Sequence, residues 1–386
     1  MISIDKSLQG KIICYIIGKI FFILEEIILK YRKDLENMPS YDGVEKDYRI
    51  KVNANECNLN LPPIVEERVM SRLSRIAFNR YPNYEYDSLR EQIAENFSVD
   101  KEQILIGGGS SEIIEKIFYS FGGSRFNKIV YPQPSFSMYK IYAKSAEGVP
   151  VQFDLDDDYN LNVDKYISLV KRKKASLAVV CNPNNPTGNV LTVEEIEEIA
   201  KSISDIDCAF LVDEAYIEFY GKSSVDLVKK YPNMIVARTF SKAYGLAGAR
   251  VGYMIANREV TKMIEKSFMP YHMNTLSLAT ADIVYQMRDE FQSRINMMIS
   301  ERDRMSEQLK NLPQLKIFPS ATNFLLIRYA KAIQLNEWLE SLDIGVRSFG
   351  SNPYLENCLR ISMGTPEEND EVFKVIKKFH DEHFSN

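Results

Sequence analysis

Between residues 73 and 275 the chain alternates short apolar runs with longer amphipathic ones, and this alternation restricts the fold more than any other feature. The mainly apolar runs are Gln103–Ile106, Lys128–Tyr131, Val149–Phe153, Leu177–Cys181, Cys208–Val212, Ile235–Ala237 and Val251–Ala256. Runs this short and this continuously apolar read as strands buried on both faces. Between them lie helical patterns: Leu89–Phe97, Ser110–Phe121 and Thr192–Ser204, the last opened by a capping box of Thr192 with Glu195. Strand–helix alternation of this kind predicts a mostly parallel sheet flanked by helices.

The rest of the chain reads differently. A long polar helix is expected over Leu278–Leu309, then hairpin-like strands at Leu315–Phe318 and Asn323–Arg328, a helix at Ile333–Leu342 and a strand at Cys358–Met363. The last helix begins at Thr365-Pro366, where Glu368 completes a second capping box. The fold class is therefore α/β: a large domain over 73–275 and a smaller α+β domain over 276–386, which residues 36–72 join. A chain of 386 residues suits two such domains. Residues 1–35 form an apolar extension. Ile12–Leu29 is broken only by Gly18, Lys19, Glu25 and Glu26, so its uncharged runs fall short of the roughly 20 apolar residues that span a bilayer. Its narrow polar stripe at Lys11, Gly18 and Glu25 reads as a helix packed on the body or across a dimer interface, in preference to a membrane-surface helix.

Composition removes several function classes. A net charge of −5, without a basic patch or a helix-turn-helix pattern, argues against nucleic acid as a partner. Three histidines make a histidine-based metal centre improbable, and none is assigned. Five cysteines, an odd number without a CxxC pair, read as free thiols of a reducing, cytoplasmic setting.

In an open parallel sheet a ligand sits outside the carboxyl ends of the strands. Four polar groups occupy such ends: Gly107–Ser111, Asn185, Asp213 with Tyr216, and Ser241-Lys242. Asn185, Asp213 and Lys242 follow one another at 28 and then 29 residues, about one strand–helix–strand unit each, so they converge on one crevice. In the segment Thr239–Tyr253, Lys242 stands between a strand end and glycine-rich backbone, where desolvation lowers an amine's pKa and makes it nucleophilic. Such an amine suits covalent capture of pyridoxal 5′-phosphate and later proton transfer. Arg250 is a bidentate partner for the cofactor phosphate, with hydroxyls from Thr239 and Ser241. Gly109, Ser110 and Ser111 open a helix whose N–H groups suit the same phosphate. Asp213 would keep the pyridine nitrogen protonated, while Tyr216 and Asn185 reach the ring's phenolic oxygen. Phe136 stacks on the ring or is an ordinary core aromatic. Arg360, in an apolar strand, takes a substrate carboxylate or a buried salt-bridge partner. Taken one at a time, these are a surface lysine, a solvated strand end and a turn; together they favour a cofactor site.

These residues resemble the class I/II aminotransferases of fold type I, and within them the histidinol-phosphate aminotransferase group. The matching segments are Asn55-Glu56, Arg80-Tyr81-Pro82, the glycine-rich loop, Asn184–Gly188, Asp213–Tyr216, the Lys242 segment, Pro270-Tyr271 with Asn274, Asn323-Phe324 and Arg360–Ser362, spread over residues 45–375. The resemblance implies a homodimeric enzyme of amino-acid biosynthesis that exchanges amino groups between a histidinol-phosphate-like donor and a 2-oxo acid. It implies Tyr81 on the neighbouring subunit's cofactor phosphate, Arg360 on the α-carboxylate, Arg347 on the substrate's distal group, and Asn55 and Asn323 in the substrate site. Two segments depart from the group's pattern: Asn55–Leu59 lacks its proline and tyrosine, and Ser348-Phe349-Gly350 replaces an arginine-rich loop. Both touch the substrate side chain, not the cofactor. A decarboxylase of the threonine-phosphate type would share every cofactor residue named, and a non-catalytic sensing domain is a third reading.

Overall fold

The computed structural model describes residues 46–82, 84–350 and 352–384. The extension read over residues 1–35 lies outside them. Thirteen strands are described: β1 Ile50–Lys51, β2 Ile104–Gly107, β3 Lys128–Gln133, β4 Val149–Asp154, β5 Leu177–Cys181, β6 Ala209–Asp213, β7 Met234–Thr239, β8 Gly252–Ala256, β9 Leu315–Ile317, β10 Phe324–Tyr329, β11 Ile344–Gly345, β12 Arg347–Ser348 and β13 Cys358–Ser362.

Seven of them form one sheet in the order β2-β8-β7-β6-β5-β3-β4. All run the same way except β8, which is antiparallel to both β7 and β2. Strands β5 to β8 are buried at every residue, as continuously apolar sequence requires, whereas the edge strand β4 is not. Side chains alternate across the sheet. Leu177, Val179, Leu211 and Ile235 therefore pack on one face with Ile113, Ile117 and Phe118 of the helix Gly109–Phe121. Ala178, Val180, Phe210 and Val212 pack on the other with Tyr166 and Val170 of the helix Val163–Lys173 and Ile196 and Ile199 of the helix Val193–Ser202.

A second core lies around the antiparallel sheet β12-β13-β10-β9. Leu325, Ile327, Leu359 and Ile361 meet Met305 and Leu309 from the helix Gln292–Lys310 and Val372, Ile376 and Phe379 from the helix Pro366–Phe384. The N-terminal strand β1 pairs in parallel with β11, and Ile50 and Val52 enter this core. Val65 and Val69, from the helix Pro63–Leu73, pack instead in the core of the large sheet. Both capping boxes form, at Thr192 with Glu195 and at Thr365 with Glu368.

The single long helix expected over Leu278–Leu309 is not continuous. It divides into Thr275–Gln286, a 3₁₀ turn at Arg288–Phe291, and Gln292–Lys310. Phe291 is fully buried at the break, and Arg288 donates Nη1 to the Tyr285 carbonyl over 3.2 Å, satisfying an acceptor at the end of the first helix. No glycine or proline marks this point, and the fully buried Phe291 closes the turn.

Candidate active site

The ends of β2, β5, β6 and β7 open on one edge of the large sheet. Because β8 runs backwards, its first residue, Gly252, lies at that same edge, in register with Gly107 and Thr239. A Cβ on Gly252 would stand 2.4 Å from the Ser110 nitrogen, so only glycine lets the start of the helix Gly109–Phe121 sit against the strand.

Lys242 follows β7 in a tight turn in which Gly245 N–H donates to the Lys242 carbonyl and Leu246 N–H to the Phe240 carbonyl. Its Nζ donates to the Ala54 carbonyl over 3.0 Å. Burial brings its pKa down to about 8; the positive charges of Arg360, Arg250 and Lys51 push the same way, and Glu56 opposes them. About a tenth of the amine is thus unprotonated at pH 7, several hundredfold more than for an ordinary lysine.

Asp213 ends β6 and is 3% exposed. Its Oδ2 accepts the Tyr139 hydroxyl at 2.7 Å and its Oδ1 the Ala215 N–H at 3.2 Å. Burial raises its pKa to about 6, only partly offset by those two donors. No cation figures among its partners, so a ligand bearing a ring N–H⁺ would supply the missing charge. Tyr216 is also buried. Its hydroxyl accepts Asn55 Nδ2 at 2.9 Å, which leaves its own proton available to donate. Asn55 holds a left-handed backbone (φ +55°), and its Oδ1 accepts the Ser362 hydroxyl at 2.9 Å.

At the other end of the crevice, Thr239 Oγ1 donates to Ser241 Oγ over 3.0 Å and accepts the Ser241 N–H. Arg250 lies 3.5 Å from the same Ser241 hydroxyl through Nη1. Gly109 has φ +81°, and a Cβ there would come within 2.7 Å of Arg250 Nη2. Gly109, Ser110 and Ser111 begin their helix here, so free N–H groups, two hydroxyls and a guanidinium share one corner, with the chemistry of a phosphate cradle.

Arg360 projects from β13 with its guanidinium 5.4 Å from the Phe324 ring centroid. It donates Nη1 to Asn185 Oδ1 and Nη2 to the Asn53 carbonyl, both at 2.7 Å. Asn323 is buried and donates to the Asn55 carbonyl at 3.1 Å. Arg347 lies directly across from Arg360 in the β12–β13 register, and cross-strand partners leave the same sheet face. It is exposed.

Two further residues named from sequence are Tyr81 and Phe136. Tyr81 is 72% exposed and stacks on Tyr271 at 4.3 Å between centroids. Phe136 is half-buried with its ring edge-on to Tyr139 at 5.5 Å. Sequence reading did not single out Tyr139, the Ala54 carbonyl or Ser362. Tyr139 sits three residues after Phe136 in the same segment, and that proximity was the available signal. The buried carboxyl with no cation beside it, the buried amine and the anion corner together fit pyridoxal phosphate: Lys242, Asp213, Tyr216 and the Arg250 corner are the residues that would hold it.

The family model "Aminotransferase class I and II" matches residues 49–376. A histidinol-phosphate aminotransferase of Clostridium novyi (strain NT) is 36% identical over 347 residues, which is 90% of this chain and 96% of that protein. The corresponding protein of Thermoanaerobacter sp. (strain X514) is 37% identical over 347 residues, covering 90% and 97%. The crystal structure of histidinol-phosphate aminotransferase from Sinorhizobium meliloti in complex with pyridoxal-5′-phosphate superposes with a TM-score of 0.82 at 23% identity, covering 92% of this chain and 99% of that one.

Proposed function

The chain belongs to the aminotransferase class I and II family and is a pyridoxal-phosphate-dependent transaminase, and from this premise we propose that Lys242 carries the cofactor and that the amino donor is a phosphorylated, histidinol-phosphate-like compound, with a 2-oxo acid as acceptor. The observation that carries the assignment is the buried Lys242 amine, brought down to about 8 beside a phosphate-type corner. Pyridoxal phosphate, when bound, supplies an aldehyde that links to amines and a ring that accepts electrons from the substrate carbon.

The chain's own groups do the rest. Asp213, buried beside Tyr139, holds a negative charge against the ring nitrogen. Tyr216 and Asn185 donate to the ring's oxygen. Arg250, Ser241, Thr239 and the N–H groups at Gly109–Ser111 hold the phosphate. Lys242 Nζ, with its lowered pKa, would serve as the base that takes a proton from the substrate carbon and returns it. Arg360, with Asn323 and Asn55 behind it, takes the carboxylate of the 2-oxo acid. Arg347, the cross-strand partner of Arg360, takes the donor's phosphate; two arginines on one sheet face suit a substrate pair with two anionic groups.

The working unit on this reading is a homodimer. Phe78, Tyr81, Met269 and Tyr271 are each more than half exposed, and the stacked Tyr81–Tyr271 pair stands ready for a partner surface. In the dimer Tyr81 reaches the partner's cofactor phosphate. A cytoplasmic setting and a place in amino-acid biosynthesis belong to the same reading; no helix among the described residues is long and apolar enough to cross a membrane.

The test is spectroscopic. Purified protein mixed with pyridoxal phosphate gains the visible absorbance of lysine-bound cofactor, and Lys242→Ala abolishes it. An unchanged spectrum in that variant sinks the assignment. A donor screen with 2-oxoglutarate, spanning histidinol phosphate, aromatic amino acids and phosphothreonine, then identifies the substrate; release of CO₂ without transfer to the acceptor would point to a decarboxylase.

A further inference from the structure

Behind the faces of β6 and β7 that carry Asp213 and Thr239 lies a buried ion pair that the chemistry above does not use. Glu214 is fully buried and Arg238 is 8% exposed. Arg238 donates Nε and Nη2 to Glu214 Oε2 at 3.0 and 2.8 Å. The same carboxylate accepts the Ser224 N–H and hydroxyl at 2.8 Å each, and the Ser223 hydroxyl at 2.8 Å. Arg238 also donates to Ser223 Oγ at 2.6 Å and lies over the Phe97 ring at 4.8 Å.

Successive side chains leave a strand on opposite faces. Glu214 therefore departs rearward where Asp213 points into the crevice, and Arg238 departs rearward beside Thr239. The Glu214 N–H donates to the Ala237 carbonyl at 2.8 Å, so backbone and side chain tie the same two strand ends. Four residues beyond Arg238 stands Lys242. Stability alone gives a weak reason for such a pair, since well-packed apolar residues in place of a buried ion pair are commonly neutral or stabilising. Its distinctive property is geometric: a guanidinium fork on a carboxylate whose other donors are also fixed has one arrangement.

We propose that the Glu214–Arg238 pair is a positioning device of the active centre, fixing the end of β6 against the end of β7 and so setting how the Asp213 carboxyl stands to the Lys242 amine. This rests on the reading of Lys242 as the cofactor-bearing amine. Neither Glu214 nor Arg238 touches the reacting groups; they act through the strand ends.

The experiment follows Lys242 in cofactor-free protein, by mass mapping of its acylation as a function of pH, beside a cofactor titration. Variants are Glu214→Gln, the doubly neutral Glu214→Gln/Arg238→Met, and the milder Ser223→Ala, which removes one donor from the carboxylate and keeps a folded protein in the series. The wild-type midpoint is expected near 8. Loosening the strand ends admits water to the amine, so the midpoint should rise by about one unit in the first two variants and by a few tenths in Ser223→Ala. Cofactor affinity should fall about tenfold in the double variant, even where its melting temperature equals or exceeds wild type. The direct effect of deleting a negative charge has the opposite sign, a lower midpoint. An unchanged or lowered midpoint in the folded variants, with unchanged cofactor affinity, overturns the proposal. Protection of wild-type Lys242 from acylation by added pyridoxal phosphate checks the underlying reading separately; lack of protection overturns that reading, and this proposal with it.

Discussion

Tyr139 donates its hydroxyl to Oδ2 of Asp213 over 2.7 Å, deep under the site and with no exposure of its own. This donor favours the charged form of a carboxyl that burial raises to about 6 even with the donor in place. Tyr139→Phe leaves the packing against Phe118 and Tyr131 and deletes the hydroxyl, which also meets the Cys181 thiol. The acid limb of the pH profile for kcat/KM should then move upward by about one unit, with weaker cofactor binding. A profile that stays in place would remove Tyr139 from the mechanism.

Asp213→Asn should separate stability from function. An Asp pKa of about 6 in the fold against 3.8 outside it means the native state holds its proton more tightly across that interval. Folding stability contributed by this carboxyl is therefore full below about pH 3.8 and lost as pH rises through 6. Asparagine mimics the protonated form and still accepts from Tyr139. In cofactor-free protein the variant should be more stable than wild type above pH 6, by roughly 1–3 kcal/mol, with the advantage vanishing toward pH 4. It should bind cofactor poorly. Denaturant melts at pH 4 and 7.5 check both halves.

Gly109→Ala tests the phosphate corner. The position needs φ +81°, and its new methyl would meet Arg250 Nη2 at 2.7 Å. Arg250 must swing away, so cofactor affinity should fall at least about tenfold, with inorganic phosphate losing its ability to compete. Fluorescence titration reads both.

Arg347→Ala addresses the donor. If Arg347 takes the distal phosphate, KM for a phosphorylated donor rises by about 10- to 100-fold, while KM for the 2-oxo acid and for unphosphorylated amines moves little. Equal losses for all donors would assign Arg347 to the fold.

The frame of this molecule was legible because its signals are local. Apolar runs such as Leu177–Cys181 and the capping boxes at Thr192 and Thr365 lie within a few residues, and the crevice followed from parallel strands sharing one end. The backward course of β8 was not legible, since an apolar run has no direction, nor was the break at Arg288–Phe291, which no glycine or proline marks. Contacts such as Lys242 to the Ala54 carbonyl, 188 residues apart, depend on the two cores meeting, and a backbone carbonyl has no letter in the sequence. Tyr81 could only be read through a partner: within one chain it has Tyr271 and solvent.

The reversed strand β8 has a consequence for how the site is assembled. Because β7 and β8 are neighbours joined through Lys242 and Arg250, the amine and the phosphate-binding guanidinium come together by closing one short loop, at small entropic cost. Asp213 joins by the next pairing, and Asn55 and Arg360 only when chain ends more than 300 residues apart meet. Contacts of that sequence separation form late in a folding chain. During refolding, the grip on a phosphate should therefore appear before the grip on a carboxylate.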